Sequence, residues 1–170
     1  MEVVEFGALT HAQRAELEGG EEYPFGTEGI ELAWRSKERH VMVRDAEGRL
    51  LASTGLLVVQ VSAGERAPFE VVGVGGVIVA PGQRGQGLSR VVVEAALERA
   101  ASMGPAFAML FCREAVAGLY GKLGFERVEP PGHVLQPAGQ VVMPLVTMRR
   151  ALREGVTWPP GAVRVHSEPF

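Results

Sequence analysis

The sequence predicts a mixed α/β (α+β) domain built on one β-sheet, and three observations predict it. Apolar runs of strand length alternate along the chain with stretches of helical periodicity. Glycine and proline punctuate nearly every boundary between them. The chain has 170 residues, of which 46% are hydrophobic and 22% charged, enough to bury one core without metals or disulfides.

The elements follow in order. Thr10-His11-Ala12-Gln13 has the capping hydroxyl and the glutamine three residues on that open a helix, and Gly19-Gly20 closes it. Glu21 to Gly29 is irregular, and a short second helix is expected over Ile30 to Lys37 with Trp34 on its buried side. His40 to Asp45 and Leu50 to Val61 flank the turn Ala46-Glu47-Gly48-Arg49 and read as a hairpin. Phe69 to Ala80 is valine-rich and stops at Pro81, a buried strand in which Gly73, Gly75 and Gly76 predict a bulge or a close backbone approach. A helix from Gly87 or Leu88 to about Met103 ends at Gly104-Pro105. Ala106 to Cys112 reads as a strand, Arg113 to Leu123 as a helix closed by Gly124, and Phe125 to Glu129 as a strand. Val141 to Arg150 is expected as a last long strand, preceded by Val134 and Leu135. One domain is expected over 1–152, with 153–170 a proline-rich tail packed on its surface.

Composition narrows the function. A net charge of −3 and a pI near 5.8 argue against a nucleic-acid binder, which needs a basic face to displace counterions. The amino terminus, MEVVEFGALT, lacks the basic region and apolar run of a signal peptide, and no apolar stretch reaches membrane-spanning length. The single cysteine, Cys112, lies in the run Phe107 to Cys112 and reads as a buried small hydrophobe. The expectation is a cytoplasmic protein, with no membrane or nucleic-acid partner. The histidines have no ligand spacing, so no metal is expected.

The stretch Val77-Ile78-Val79-Ala80-Pro81-Gly82-Gln83-Arg84-Gly85-Gln86-Gly87-Leu88 carries chemistry. A buried strand stops, a glycine-rich turn with an arginine follows, and a helix begins at once. Such a turn aims unpaired N–H groups and the positive end of the helix dipole at one point, a pocket for phosphate or pyrophosphate. A Walker loop is excluded because no lysine lies here, and a Rossmann fingerprint because Arg90 stands where its third glycine is needed. A second motif, Ala117-Gly118-Leu119-Tyr120-Gly121-Lys122-Leu123-Gly124-Phe125, places a tyrosine on a helix one turn before its glycine stop. Val116, Leu119 and Leu123 are its expected buried stripe, with Tyr120 at the border.

This pair of motifs resembles the GNAT N-acetyltransferases. In that family a strand ending V-x-P leads into R-G-x-G and a helix, and L-Y-x-K-x-G-F follows later. Here these are Val79-Ala80-Pro81, Arg84-Gly85-Gln86-Gly87-Leu88-Ser89 and Leu119 to Phe125, a likeness covering about Val71 to Val128. Val134 to Gly139 is also similar to a short segment of aminoglycoside 2′-N-acetyltransferases. The resemblance implies a mixed, mostly antiparallel sheet of about six to seven strands with about four flanking helices. It implies acetyl-CoA as co-substrate, held by Val77, Val79, Arg84, Gly85, Gln86, Gly87, Leu88, Ser89, Arg113 and Tyr120, and transfer of acetyl directly to a primary amine of a small molecule. Arg113 stands where many members carry an asparagine, and Ser89 where Gly or Ala is usual. Tyr120 is the implied general acid toward the leaving thiolate, and Glu70, opening the same strand as Val77, is the candidate base. A homodimer is a further implication. An acyl-CoA sensor without turnover and a peptide or protein amino-terminal acetyltransferase are the alternatives. A long groove beside Glu21 to Gly29 would favour the peptide acceptor, and a closed pocket the small amine.

Overall fold

In the computed structural model, which describes residues 1–170, the chain runs through ten strands and three α-helices. They are β1 (Glu2–Phe6), α1 (His11–Glu18), β2 (Arg39–Arg44), β3 (Leu50–Ala63), β4 (Phe69–Val79), α2 (Leu88–Ala101), β5 (Phe107–Cys112), α3 (Glu114–Lys122), β6 (Glu126–Arg127), β7 (His133–Gln136), β8 (Gly139–Val142), β9 (Val146–Ala151) and β10 (Val163–Val165). A 3-10 turn at Pro81–Gln83 joins β4 to α2.

All strands belong to one sheet, in the order β6-β9-β5-β4-β3-β10-β7-β8. The 14-residue β3 carries β2 along Leu50–Leu56 and β10 along Val61–Ala63 on the edge away from β4, and β1 extends β2. Only β4–β5 and β10–β7 pair in parallel, so the sheet is mixed and mostly antiparallel. Ten strands and three helices replace the expected six to seven and four. The difference comes from short strands at the two chain ends, from the division of the expected last strand into β8 and β9, and from a lost helix.

Period-two alternation fills both faces. Val72, Val74, Ala108 and Leu110 pack under Val92, Val93, Ala96 and Leu97 of α2. Their neighbours Val71, Phe107 and Met109 face the other side, against Val134, Val163, Val165 and Phe170. Thr10 and Gln13 form a reciprocal capping box at the start of α1, with bonds of 3.2 and 2.8 Å. Gly19 ends that helix in the left-handed region.

Four expectations are corrected. Residues 30–38 form no helix. Arg35 N–H donates to the Pro169 carbonyl at 2.7 Å, and the Gln136 side chain clasps Ala33 N–H and carbonyl, so the backbone groups a helix needs are bonded across the molecule. The segment 133–150 is a β7–β8 hairpin and a separate β9, because Met143-Pro144-Leu145 breaks the ladder at a residue without an N–H. The carboxy-terminal stretch does more than cover the surface: β10 lies inside the sheet, and Phe170 is 3% exposed. On α3 the buried residues are Ala117 and Tyr120, while Val116 is exposed, so Tyr120 belongs to the packed stripe.

Candidate active site

Strand β4 breaks register at its glycines. Ser53 faces Ile78 and Gly55 faces Gly75, so three steps along β4 match two along β3, which leaves one extra β4 residue without a partner. Gly76 takes φ +62°, a value that glycine alone adopts at little cost. The buried Thr54 hydroxyl donates to the Gly75 carbonyl at 3.1 Å and fixes the bulge.

Beside the bulge the sheet opens. The β4–β5 register covers Val72–Ala108 and Gly73–Met109 only. Beyond it, Val74 to Val79 of β4 and Leu110 to Cys112 of β5 line a cavity of about 1120 Å³. Leu119 and Tyr120 of α3 form its far wall, and Gly85, Gly87, Leu88 and Ser89 its rim.

That rim is open backbone ahead of a helix. Gly85 and Gly87 have φ of +78° and +76°, and a Cβ built on either meets nothing within 4 Å, so the space in front of the backbone is open. No backbone N–H from Arg84 through Ser89 donates to a protein carbonyl, and α2 begins at Leu88. Converging free N–H groups at a helix amino terminus suit a pyrophosphate. Gln86 stands apart: its amide donates to Gln83 at 3.3 Å, and it lies outside the cavity lining.

The two arginines of the expected site are engaged with the segment Glu21 to Gly29. Arg84 forks onto both carboxylate oxygens of Glu21 at 2.8 and 2.6 Å and donates to the Val79 carbonyl at 3.3 Å. The guanidinium holds the Glu21 carboxyl below its usual range. Arg113 donates to the Gly26 carbonyl at 2.5 Å and to the Glu28 carbonyl. Tyr23, Pro24, Phe25 and Gly26 thereby close one side of the cavity.

Tyr120 is 7% exposed, stacks edge-on against Phe125, and turns toward the cavity. Burial first, and then proximity to Cys112, pushes its phenol up to about 12. Burial likewise pushes the Cys112 thiol up to about 11, which leaves it a neutral neighbour of the Met148 sulfur at 3.7 Å.

Glu70 does not join this group. It is exposed, it faces Gln60, and five β4 residues separate it from the bulge at Gly76–Val77. It lies outside the cavity lining, so the candidate base is withdrawn. Conversely, the cavity contains Arg14, Lys37 and Glu18, which the sequence reading did not select. No local pattern marks Lys37. Its stem reaches the site only because Gly55 and Gly75, cross-strand partners, leave a channel for it.

Comparison with known proteins gives the following. The model of the acetyltransferase (GNAT) domain matches residues 20–128. No match to a curated protein was found. Among solved structures, the chain resembles a GNAT family N-acetyltransferase from Escherichia coli in complex with CoA, at 19% identity and a TM-score of 0.59, covering 96% of this chain and 89% of that one. Escherichia coli ElaA is similar at 18% identity and a TM-score of 0.56, with 88% and 98% covered. The N-acetylglutamate synthase from Neisseria gonorrhoeae complexed with coenzyme A and N-acetyl-glutamate aligns at 15% identity and a TM-score of 0.58, over 91% of this chain and 36% of that one. No helix is long and apolar enough to cross a membrane.

Proposed function

Because the chain belongs to the GNAT acetyltransferase family, an acyl-CoA-dependent N-acetyltransferase, we propose that it moves an acetyl group from acetyl-CoA to the primary amine of a small molecule. The observation that carries the small-molecule reading is the closed side of the cavity. Arg84 and Arg113 fasten the segment from Glu21 to Glu28 along it, which walls one side of a cavity of about 1120 Å³ and favours a compact acceptor.

Acetyl-CoA supplies the acetyl group as an activated thioester. The free N–H groups from Arg84 to Ser89 receive its pyrophosphate, with α2 adding the field of its amino terminus. Arg84 supplies a cation there once Glu21 yields it. Val77, at the bulge, and Val79, two residues on, present backbone groups to the pantetheine arm and the thioester carbonyl, where negative charge develops. Tyr120 lines the same cavity, and its hydroxyl is the donor for a hydrogen bond to the departing sulfur. An alkyl ammonium titrates near ~10.4, so about one molecule in a thousand is neutral at pH 7.4. The acceptor must lose a proton before or during attack.

Calorimetric titration with acetyl-CoA, CoA and ATP, followed by thiol-release assays over a panel of amines, tests the proposal. Binding of acetyl-CoA but not ATP, with amine-dependent thiol release, is the expected result. Binding with only slow, amine-independent hydrolysis would instead indicate a sensor. Turnover of peptides but of no small amine would overturn the acceptor assignment.

A further inference from the structure

The cavity reaches both faces of the sheet. Leu88, Leu110, Cys112 and Tyr120 of its lining belong to the core packed under α2 and α3, whereas Trp34, Phe111, Leu145 and Phe170 belong to the core on the opposite face. The glycine-rich rim and Tyr120 put acetyl-CoA on the α2–α3 side. The amine therefore meets the thioester from the other side, and that side is walled by rings. A Cβ on Gly73 would lie 2.7 Å from the Phe170 ring, and one on Gly76 3.6 Å from the Phe25 ring, so rings flank the bulge. Phe111 tilts against Phe170 with centroids 5.0 Å apart, which leaves both occupied with each other. Phe25 is different. It is 40% exposed and its neighbour Tyr23 47%, yet both line the cavity. Their segment is fastened on either side of them, by Glu21 to Arg84 and by the Gly26 and Glu28 carbonyls to Arg113. Large rings held uncovered at a cavity mouth are apolar surface that a ligand can bury. Polar groups beside them are engaged by the protein. Arg35 pairs with Glu38 at 3.1 Å, and the Lys37 Cε and the Phe170 carbonyl oxygen converge on Gly75, 3.1 and 2.7 Å from where its Cβ would be.

Resting on the acetyl-transfer reading, we propose that Phe25, with Tyr23 beside it, is the wall against which the acceptor packs, and that the acceptor is a primary amine carried on an aromatic ring by a short alkyl arm. Phe25 sets the arm's length. Its ring edge lies beside Gly76, so a ligand ring packed on it at the usual ~5 Å between centroids keeps the amine within about two carbons of the bulge. It also sets the ring's character. Aromatic pairs in offset or edge-on contact gain attraction beyond the area they bury, which a saturated ring of equal size does not. Because the segment is already fastened, little ordering is left for the ligand to impose, and the contact is expressed in affinity.

The test measures thiol release with 2-phenylethylamine, 2-cyclohexylethylamine and n-butylamine, in the wild-type chain and in Phe25→Leu and Phe25→Tyr. All three are alkylamines with ammonium groups titrating near ~10, so their differences report the skeleton. The expected kcat/KM for 2-phenylethylamine is at least about tenfold above that for n-butylamine, from the buried ring, and about threefold above that for 2-cyclohexylethylamine, from the aromatic contact. Phe25→Leu keeps an apolar side chain at an exposed position and should remove the phenyl-over-cyclohexyl preference through KM, with kcat held. Phe25→Tyr keeps the ring and should keep the preference. A cyclohexyl analogue used as well as the phenyl one, a phenyl preference that survives Phe25→Leu, or one lost equally in Phe25→Tyr overturns the aromatic wall and leaves amine acetylation standing. Turnover of none of the amines, with acetyl-CoA bound, overturns the small-molecule reading and the wall with it.

Discussion

Replacing Tyr120 with phenylalanine removes one hydroxyl and little else. That hydroxyl has no hydrogen-bond partner in the protein that would shift its proton affinity, and the ring keeps its packing on Phe125. A phenol raised to about 12 stays protonated across the working range. A thiol titrates near ~8.5, so handing the proton over completely would run roughly 5 kcal/mol uphill. Tyr120 therefore acts as a fixed hydrogen-bond donor toward the sulfur, in a site where burial strengthens such bonds. Removing one donor of this kind typically costs about 100-fold in kcat, or about 2.7 kcal/mol. Steady-state assays should show that loss, undiminished from pH 6 to 10, with the Kd for acetyl-CoA within about twofold of wild type. A second readout is stability. The raised pKa means that the folded state keeps its proton where the unfolded chain has lost it. Stability contributed by the neutral phenol is thus present below pH 10 and lost between 10 and about 12, by up to roughly 2.7 kcal/mol. Tyr120→Phe should lack this alkaline slope. An unchanged kcat across pH would refute the donor role, and an identical slope would refute the burial argument.

Further expectations concern the glycine-rich rim and its neighbours. Gly87→Glu places a side chain at φ +76° and a carboxylate on the rim, so acetyl-CoA should bind at least about tenfold more weakly by calorimetry; equal affinity would mean that the turn is only structural. Glu21→Gln frees Arg84 from a competing carboxylate and should tighten acetyl-CoA binding about two- to fivefold at low salt, with the gain vanishing near 1 M salt. An unchanged Kd would separate Arg84 from the anion site. Cys112, raised to about 11, is about 0.1% thiolate at pH 8, so iodoacetamide should label it at least a hundredfold more slowly than a free thiol, as read by intact mass.

The strand–turn–helix at Val77 to Ser89 and the helix bearing Tyr120 were legible because their signals are local. Glycines at 85 and 87, a proline stop at 81 and helical spacing beyond 88 each act within a few residues. The bulge was legible too, from Gly75-Gly76 within a valine run. The segment 30–37 was not. Its composition suits a helix, yet its amides are bonded by Gln136 and its neighbour in the tail, Pro169, more than a hundred residues away. The face of α3 was legible in part: Leu123 is buried and Leu119 half-buried as expected, but Val116 is exposed and Ala117 and Tyr120 take the packed positions.

Sequence by itself determined the family, the glycine-rich turn ahead of α2 and the helix that carries Tyr120. The tertiary structure alone decided which charges meet there. It turned Arg84 and Arg113 onto the segment Glu21 to Gly29, removed Glu70 to the far end of β4, threaded β10 into the sheet, and laid Lys37 along the Gly55–Gly75 channel. Backbone turns and caps are made by neighbours in the chain, so a short window of residues specifies them. The partners of a long charged side chain are set by the packing of elements far apart in sequence, and no window contains both.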